Sequence, residues 1–201
     1  MKNIFIIHGS YGNPQGNWFP WLKKELSKLG HRVFVPQFPI PPPEKWDAAT
    51  SGHSLSQWLI TLAEYKKYIN EDTIFIAHSR GCPLIFHFLS SLKKPVFSVF
   101  LVAPWMNFIW YPKGWKKIDS FVKKPFYWKK IKKGAKYFEV FQSTNDPANI
   151  PVDQGKNIAK YLDAKFMLIK EAGHFSASYD KRYVKFPLIL KRVINFIDKN
   201  H

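Results

Sequence analysis

Six short apolar runs, separated by stretches of helical period, leave this chain few folds to choose from. Asn3 to Ile7, His31 to Val35, Thr73 to Ala77, Val96 to Val102, Tyr137 to Phe141 and Lys165 to Ile169 are rich in Ile, Val and Phe and lack strict polar alternation. That is the pattern of strands buried on both faces. Between them the periodicity predicts helices over Trp18 to Leu29, with Pro20 in the first turn and Leu22, Leu26 and Leu29 on one face, then over Leu55 to Ile69, Pro83 to Ser91, Asp153 to Leu162 and Tyr183 to Asp198. Strands alternating with helices predict a compact α/β fold of about six mostly parallel strands, with helices on both faces. A functional site then belongs beyond the carboxyl ends of the strands. The 201 residues suit one domain rather than two, and 46% apolar residues can fill its core. No apolar run approaches the roughly 20 residues that span a bilayer. The single cysteine, Cys82, cannot pair within the chain, so a reducing, cytoplasmic location is expected.

The third strand runs into a helix through Ala77-His78-Ser79-Arg80-Gly81-Cys82. A serine hydroxyl becomes a useful nucleophile only when a tight, strained strand-to-helix turn presents it, and small neighbours let the two elements approach. Gly81 meets that need, and Ala77 meets it with one methyl more than glycine. A plain connecting turn has the same short pattern, so the rest of the chain must decide.

Such a serine needs a base, and the base needs an acid to fix its tautomer. Asp146, in Gln142-Ser143-Thr144-Asn145-Asp146-Pro147 after the fifth strand, is the best acid. An Asx-type turn before Pro147 would also explain it. Asp153 is the rival, although a helix start already accounts for a carboxylate there. His174, in Gly173-His174-Phe175 after the last strand, follows both Ser79 and Asp146 and is the expected base, whereas His87 falls within a helix and His201 is terminal. An oxyanion hole needs two backbone N–H groups. Arg80 follows the serine and supplies one; the loop His8-Gly9-Ser10-Tyr11-Gly12 supplies the other, through Ser10 first and Tyr11 second.

With these residues in view, the chain resembles the α/β-hydrolases, and among them the small serine hydrolases related to retinoblastoma-binding protein nine. The resemblance runs over nearly the full length, through His8-Gly9-Ser10, the Ser79 turn, Ser143-Thr144-Asn145-Asp146-Pro147 and Gly173-His174-Phe175. It implies Ser79 as nucleophile, Asp146 as acid and His174 as base in cleaving an ester, thioester or amide of a small molecule through an acyl-enzyme. Ala77 departs from the usual glycine, and Asn145 stands where a second aspartate is common. The first strand begins at residue 3, so strands preceding it in larger relatives are expected to be missing and one sheet edge to be less protected. A monomer is expected, with a dimer as the alternative.

Two segments interrupt the rhythm. Pro36 to Pro43 must be extended, because proline fixes its dihedral and lacks a donor, and reads as a rigid connector. Pro104 to Lys136 shows no clear helical period, interleaves nine aromatics with ten lysines from Lys113 to Lys136, and has Asp119 as its only acid. This stretch is expected to form a cap-like insertion within the single domain of residues 1–201, its aromatics lining an acyl pocket and its lysines solvated. The formal net charge of +17 keeps another reading open: a hydrolase-fold binding protein with a vestigial triad, whose basic surface meets an anionic partner, a lipid surface ahead of nucleic acid. Arg80 has two readings as well. A cation opening a helix either swings into solvent or meets an anionic part of the substrate. Neither the histidines nor Cys82 show ligand spacing, so no metal or cofactor is expected, and Cys82 is expected to pack as a small apolar residue rather than act as nucleophile.

Overall fold

The structure, a computed structural model, describes residues 1–42, 44, 52–106 and 119–200. Its strands are β1 (Asn3–Ile7), β2 (Arg32–Phe34), β3 (Thr73–His78), β4 (Ser98–Val102), β5 (Phe138–Ser143) and β6 (Lys165–Ile169). They form one six-stranded sheet in the order β2-β1-β3-β4-β5-β6, parallel throughout. β1 therefore sits between β2 and β3, and the chain reverses its direction of travel across the sheet there. At such a switch point the loops after the two neighbouring strands part and leave a crevice. Here they are the loops that carry Ser10 and Ser79.

Alternate residues of each inner strand feed opposite sides. Phe5, Ile7, Phe75, Ala77, Val99, Leu101 and Val140 join one buried cluster, while Ile4, Ile6, Ile74, Ile76, Phe100, Val102 and Phe141 join the other. The first cluster is covered by α2 (Leu55–Ala63), α3 (Gly81–Leu89), α4 (Trp128–Lys133) and α5 (Val152–Leu162), the second by α1 (Phe19–Lys28) and α6 (Pro187–Lys199). Both faces being covered explains why these strands read as continuous apolar runs.

The helix boundaries differ from expectation for local reasons. α2 stops at Ala63, and a 3-10 turn over Lys66–Tyr68 follows. Residues three apart align in such a turn, and Tyr65 and Tyr68 accordingly both pack on Phe34, at 5.7 and 4.7 Å between ring centres. α6 begins at Pro187 rather than Tyr183, because proline suits the first helical turn and disfavours helix in the residue before it. Leu29, expected on the buried face of α1, is instead its cap and 53% exposed. α4 was not foreseen; only Ile131 of its six residues is buried, so its sequence carries almost no apolar period. The described part of the lysine-rich stretch is not set apart from the domain, since Phe121, Val122, Phe126 and Ile131 belong to the same cluster as α2 and α3. Phe108, Trp110, Tyr111, Lys113, Trp115, Lys116 and Lys117 lie outside the described residues. No helix among the described residues is long and apolar enough to cross a membrane.

Candidate active site

β3 ends at His78, and Ser79 turns with φ of 53° into the left-handed region. A residue with a β-carbon pays about 1–2 kcal/mol to stay there. The turn is pinned from both sides: the Ser79 N–H donates to the Val102 carbonyl at 2.9 Å, and its carbonyl accepts from the Cys82 and Trp105 N–H groups at 3.0 and 3.3 Å. Two glycines make room. A β-carbon on Gly9 would lie 2.8 Å from Ser79 Cβ, and one on Gly81 would lie 2.8 Å from Ile7 Cγ2. The Ala77 methyl is fully buried among the residues under α2 and α3, so the departure from glycine is absorbed by the core.

His174 and Asp146 meet as expected. The imidazole Nδ1 lies 2.8 and 3.0 Å from the two Asp146 carboxylate oxygens, and the carboxylate is fully buried. Asp146 Oδ1 also accepts the Ala148 N–H at 2.9 Å, so the Asx-type turn and the contact with His174 coexist in one residue. Ser79 and His174 line the same cavity, with Gly9, Ser10, Tyr11 and Trp105 also in its wall. No hydrogen bond joins the Ser79 hydroxyl to His174 here, a looseness common in unliganded sites that tighten on substrate.

What holds the His174 loop was not legible in the sequence. Three consecutive N–H groups, of Glu171, Ala172 and Gly173, donate to Thr144 Oγ1, Ser143 Oγ and Asn145 Oδ1 at 2.9, 3.0 and 2.9 Å. The acid loop thus clips the base loop through its side chains. Asn145, flagged only as a departure, is one of the three clips. His78 adds a fourth restraint by donating from Nε2 to the His174 carbonyl at 2.8 Å. Burial first, and then the nearby His174, push the His78 pKa down to about 3, so it stays a neutral donor. On the far side Asn17 Oδ1 accepts the Ala177 N–H at 2.9 Å, and Trp18 Nε1 donates to the Phe175 carbonyl at 3.0 Å. His8 orders the remaining loop, with Nε2 accepting the Phe38 N–H at 3.0 Å, so the proline-rich connector braces the site as well as spanning elements.

Neither the Ser10 N–H nor the Arg80 N–H donates to another group among the described residues. The Arg80 side chain, by contrast, follows neither reading of the sequence. It is 5% exposed and faces inward. Its Nη1 meets Asp119 Oδ2 at 2.5 Å, its Nε donates to Ser10 Oγ at 2.6 Å, and its guanidinium lies 4.2 Å from the centre of the Trp105 ring. Burial pushes the Asp119 carboxyl up while Arg80 and the Phe121 N–H pull it down.

The serine-lined cavity measures about 650 Å³, and a second of about 600 Å³ lies beside the acid loop, lined by Asn145, Asp146, Ile150 and Gln154. Trp105 borders both, so it stands between two spaces of ordinary small-ligand size. Asp153 is not brought to the site: it lies in the first turn of α5, faces solvent beside Lys156 and is not the cap, which is Pro151. Cys82 is buried, and burial drives its thiol pKa well above the ordinary range. His87 bonds the Phe121 carbonyl through Nε2 at 2.9 Å, away from Ser79.

Known proteins resemble this chain in sequence and in fold. The family model described as serine hydrolase matches residues 4–194. The putative hydrolase YdeN of Bacillus subtilis is 29% identical over 200 residues, covering 98% of this chain and 97% of its own. The serine hydrolase RBBP9 of Rattus norvegicus is 26% identical over 173 residues, covering 85% of each chain. The crystal structure of the B. subtilis ydeN gene product superposes with a TM-score of 0.82 at 28% identity over 98% of this chain and 100% of that one. Est1E from Butyrivibrio proteoclasticus, solved with ferulic acid, shares the fold at a TM-score of 0.72 and 14% identity, over 99% of this chain and 89% of that one. The fold is that of the α/β-hydrolases, and the chain belongs to the serine hydrolase family.

Proposed function

We propose that this serine hydrolase cleaves an ester, thioester or amide of a small substrate through an acyl-enzyme, with Ser79 as nucleophile, His174 as general base and Asp146 as its orienting acid. The observation that carries this reading is the 2.8 Å His174–Asp146 contact together with a strained Ser79 that lines the same cavity as His174. As Ser79 Oγ attacks the acyl carbon, His174 Nε2 takes its proton, and the buried carboxylate at Nδ1 stabilises the imidazolium that forms. The negative charge moves to the former carbonyl oxygen. There the Ser10 and Arg80 N–H groups receive it, each worth about 3 kcal/mol of barrier. Collapse breaks the bond to the leaving group, which takes the proton from His174; water then repeats the sequence on the acyl-serine with His174 again as base. The proposal extends to a monomer acting in the cytoplasm without metal or cofactor.

A second reading, a binding protein with a vestigial triad, is favoured by one observation. Lys123, Lys124, Lys129, Lys130, Lys132, Lys133 and Lys136 are all exposed, and so is Tyr127 among them, a surface suited to an anionic partner. A fluorophosphonate probe separates the two. The hydrolase reading expects labelling of the wild type and none of Ser79→Ala; folded wild-type protein that stays unlabelled would favour the binding reading.

A further inference from the structure

Arg80 is the feature that the mechanism above uses only through its backbone. Its side chain is a buried cation wedged between three parts of the chain that the sequence keeps far apart: Ser10 in the loop after β1, Trp105 after β4, and Asp119. Each partner matters to the site in a different way. Ser10 lines the cavity that holds Ser79, Trp105 together with Ala148 lines both cavities, and Asp119 neutralises the guanidinium so that it needs no substrate anion.

The geometry points to Arg80 as a positioning residue: its guanidinium fixes the Ser10 loop and the Trp105 ring relative to Ser79, so that one residue supplies an oxyanion N–H and holds the other in register. This inference rests on the hydrolase reading. The chemistry of the side chain suits the task. A planar guanidinium presents Nε along one edge and Nη1 along another, which allows Ser10 and Asp119 to be held at once, while its face lies against an aromatic ring. A lysine ammonium has neither the fork nor the flat face. A buried pair of this kind adds little net stability once the desolvation of both charges is counted. Its direct effect is on geometry, and a displacement of about 1 Å in a reacting site is enough to cost on the order of 100-fold in rate. The same arrangement argues against the anion-binding reading, because the guanidinium charge is already paired with the buried Asp119 carboxylate.

The test uses the intact chain, with fluorophosphonate labelling and steady-state hydrolysis of a p-nitrophenyl ester measured for Arg80→Met, Arg80→Lys, Ser10→Ala and the double variant Ser10→Ala/Arg80→Met. Ser10→Ala keeps the backbone N–H and removes only the hydroxyl that Arg80 holds. Arg80→Met is expected to lower kcat about 100-fold with KM changed by less than about 3-fold, and Ser10→Ala to lower kcat about 10-fold. Arg80→Lys gives no rescue, and the double variant is no slower than Arg80→Met, because both substitutions break one link. Folding is checked by circular dichroism and melting. If Arg80→Met does not fold, Ser10→Ala decides alone. Wild-type kcat in folded Ser10→Ala, or additive losses in the double variant, overturns the inference. Unlabelled wild type would remove the hydrolase reading and this inference with it, whereas labelled wild type with variants that react equally fast removes only this one.

Discussion

Arg80 and Arg192 each face a buried carboxylate, yet they sit at opposite ends of the sheet. Arg192, on α6, makes a two-pronged contact with Glu139, from Nε at 2.7 Å and Nη2 at 3.0 Å, and Tyr137 donates its hydroxyl to the same carboxylate at 2.8 Å. Burial first, and the carboxylate beside it second, push the Tyr137 pKa up to about 12. Glu139 is the second residue of β5, near the amino end, so this network joins a helix to a strand away from the loops that build the cavity. Arg80 lies at the carboxyl end of β3 and joins loop to loop. The same pair of charged groups therefore joins helix to strand at one end and loop to loop beside the Ser79 cavity at the other. Position along the strand, not residue chemistry, makes the difference.

The comparison breaks most sharply at the carboxyl end. Asp146→Asn keeps the shape of the acid loop but can leave His174 in the wrong tautomer, and we expect kcat to fall about 10⁴-fold with the melting temperature little changed. A turnover within tenfold of wild type in Asp146→Asn of native stability would remove Asp146 from its role. At the amino end Glu139→Ala should do the reverse. Loss of a buried partner costs about 3 kcal/mol, the low end of the usual range because the Arg192 side chain is 22% exposed and can reach water. Thermal melting should drop on the order of 10 °C, while kcat/KM per folded molecule stays at the wild-type value. A loss of activity larger than the loss of folded protein would show that the two ends are coupled after all.

The smallest effect is read from pH. His78 titrates near 3 and His53 near 4 in the folded chain, the latter lowered by burial and then by the charge of Arg80. Unfolded histidine takes its proton near 6.5. Below that pH the unfolded chain holds protons that the folded chain refuses, so stability is complete above about 6.5 and declines as pH falls toward 3–4, at about 1.4 kcal/mol per pH unit for each such histidine. His8 and His87, also lowered by burial, act with the same sign. Asp119, raised by burial, has the opposite sign and acts only in the carboxylate range. Urea melts at pH 7, 6 and 5 measure the slope. His78→Gln should remove one histidine's share of it, and an unchanged slope would mean that His78 is not the buried neutral donor described above.

Periodicity and order were legible because they are properties of neighbours along the chain. The apolar runs Asn3 to Ile7 and Thr73 to Ala77 became β1 and β3 within a residue, since a strand covered on both faces has no polar positions to confuse its reading, and Lys165 to Ile169 became β6 although that edge strand is only partly covered. Ser79, Asp146 and His174 were legible because parallel strands deliver the loops after their carboxyl ends to one edge, whatever fills the space between. The α4 helix escaped because its exposed lysines mask the single buried Ile131.

The sequence by itself determined the strands, the order along the chain of the three candidate catalytic residues and the turn that strains Ser79. Tertiary structure alone decided what the side chains around that turn do. Asn145 looked like a lost aspartate until Gly173 came within 2.9 Å of it, and Arg80 looked like a misplaced helix cation until folding brought in Asp119, 39 residues on, and Ser10, 70 residues back. A charge read locally is assigned to solvent or ligand, since its partner is supplied only when the chain closes. The physical reason is burial: once water is excluded, a guanidinium must be answered by whatever groups the fold places beside it.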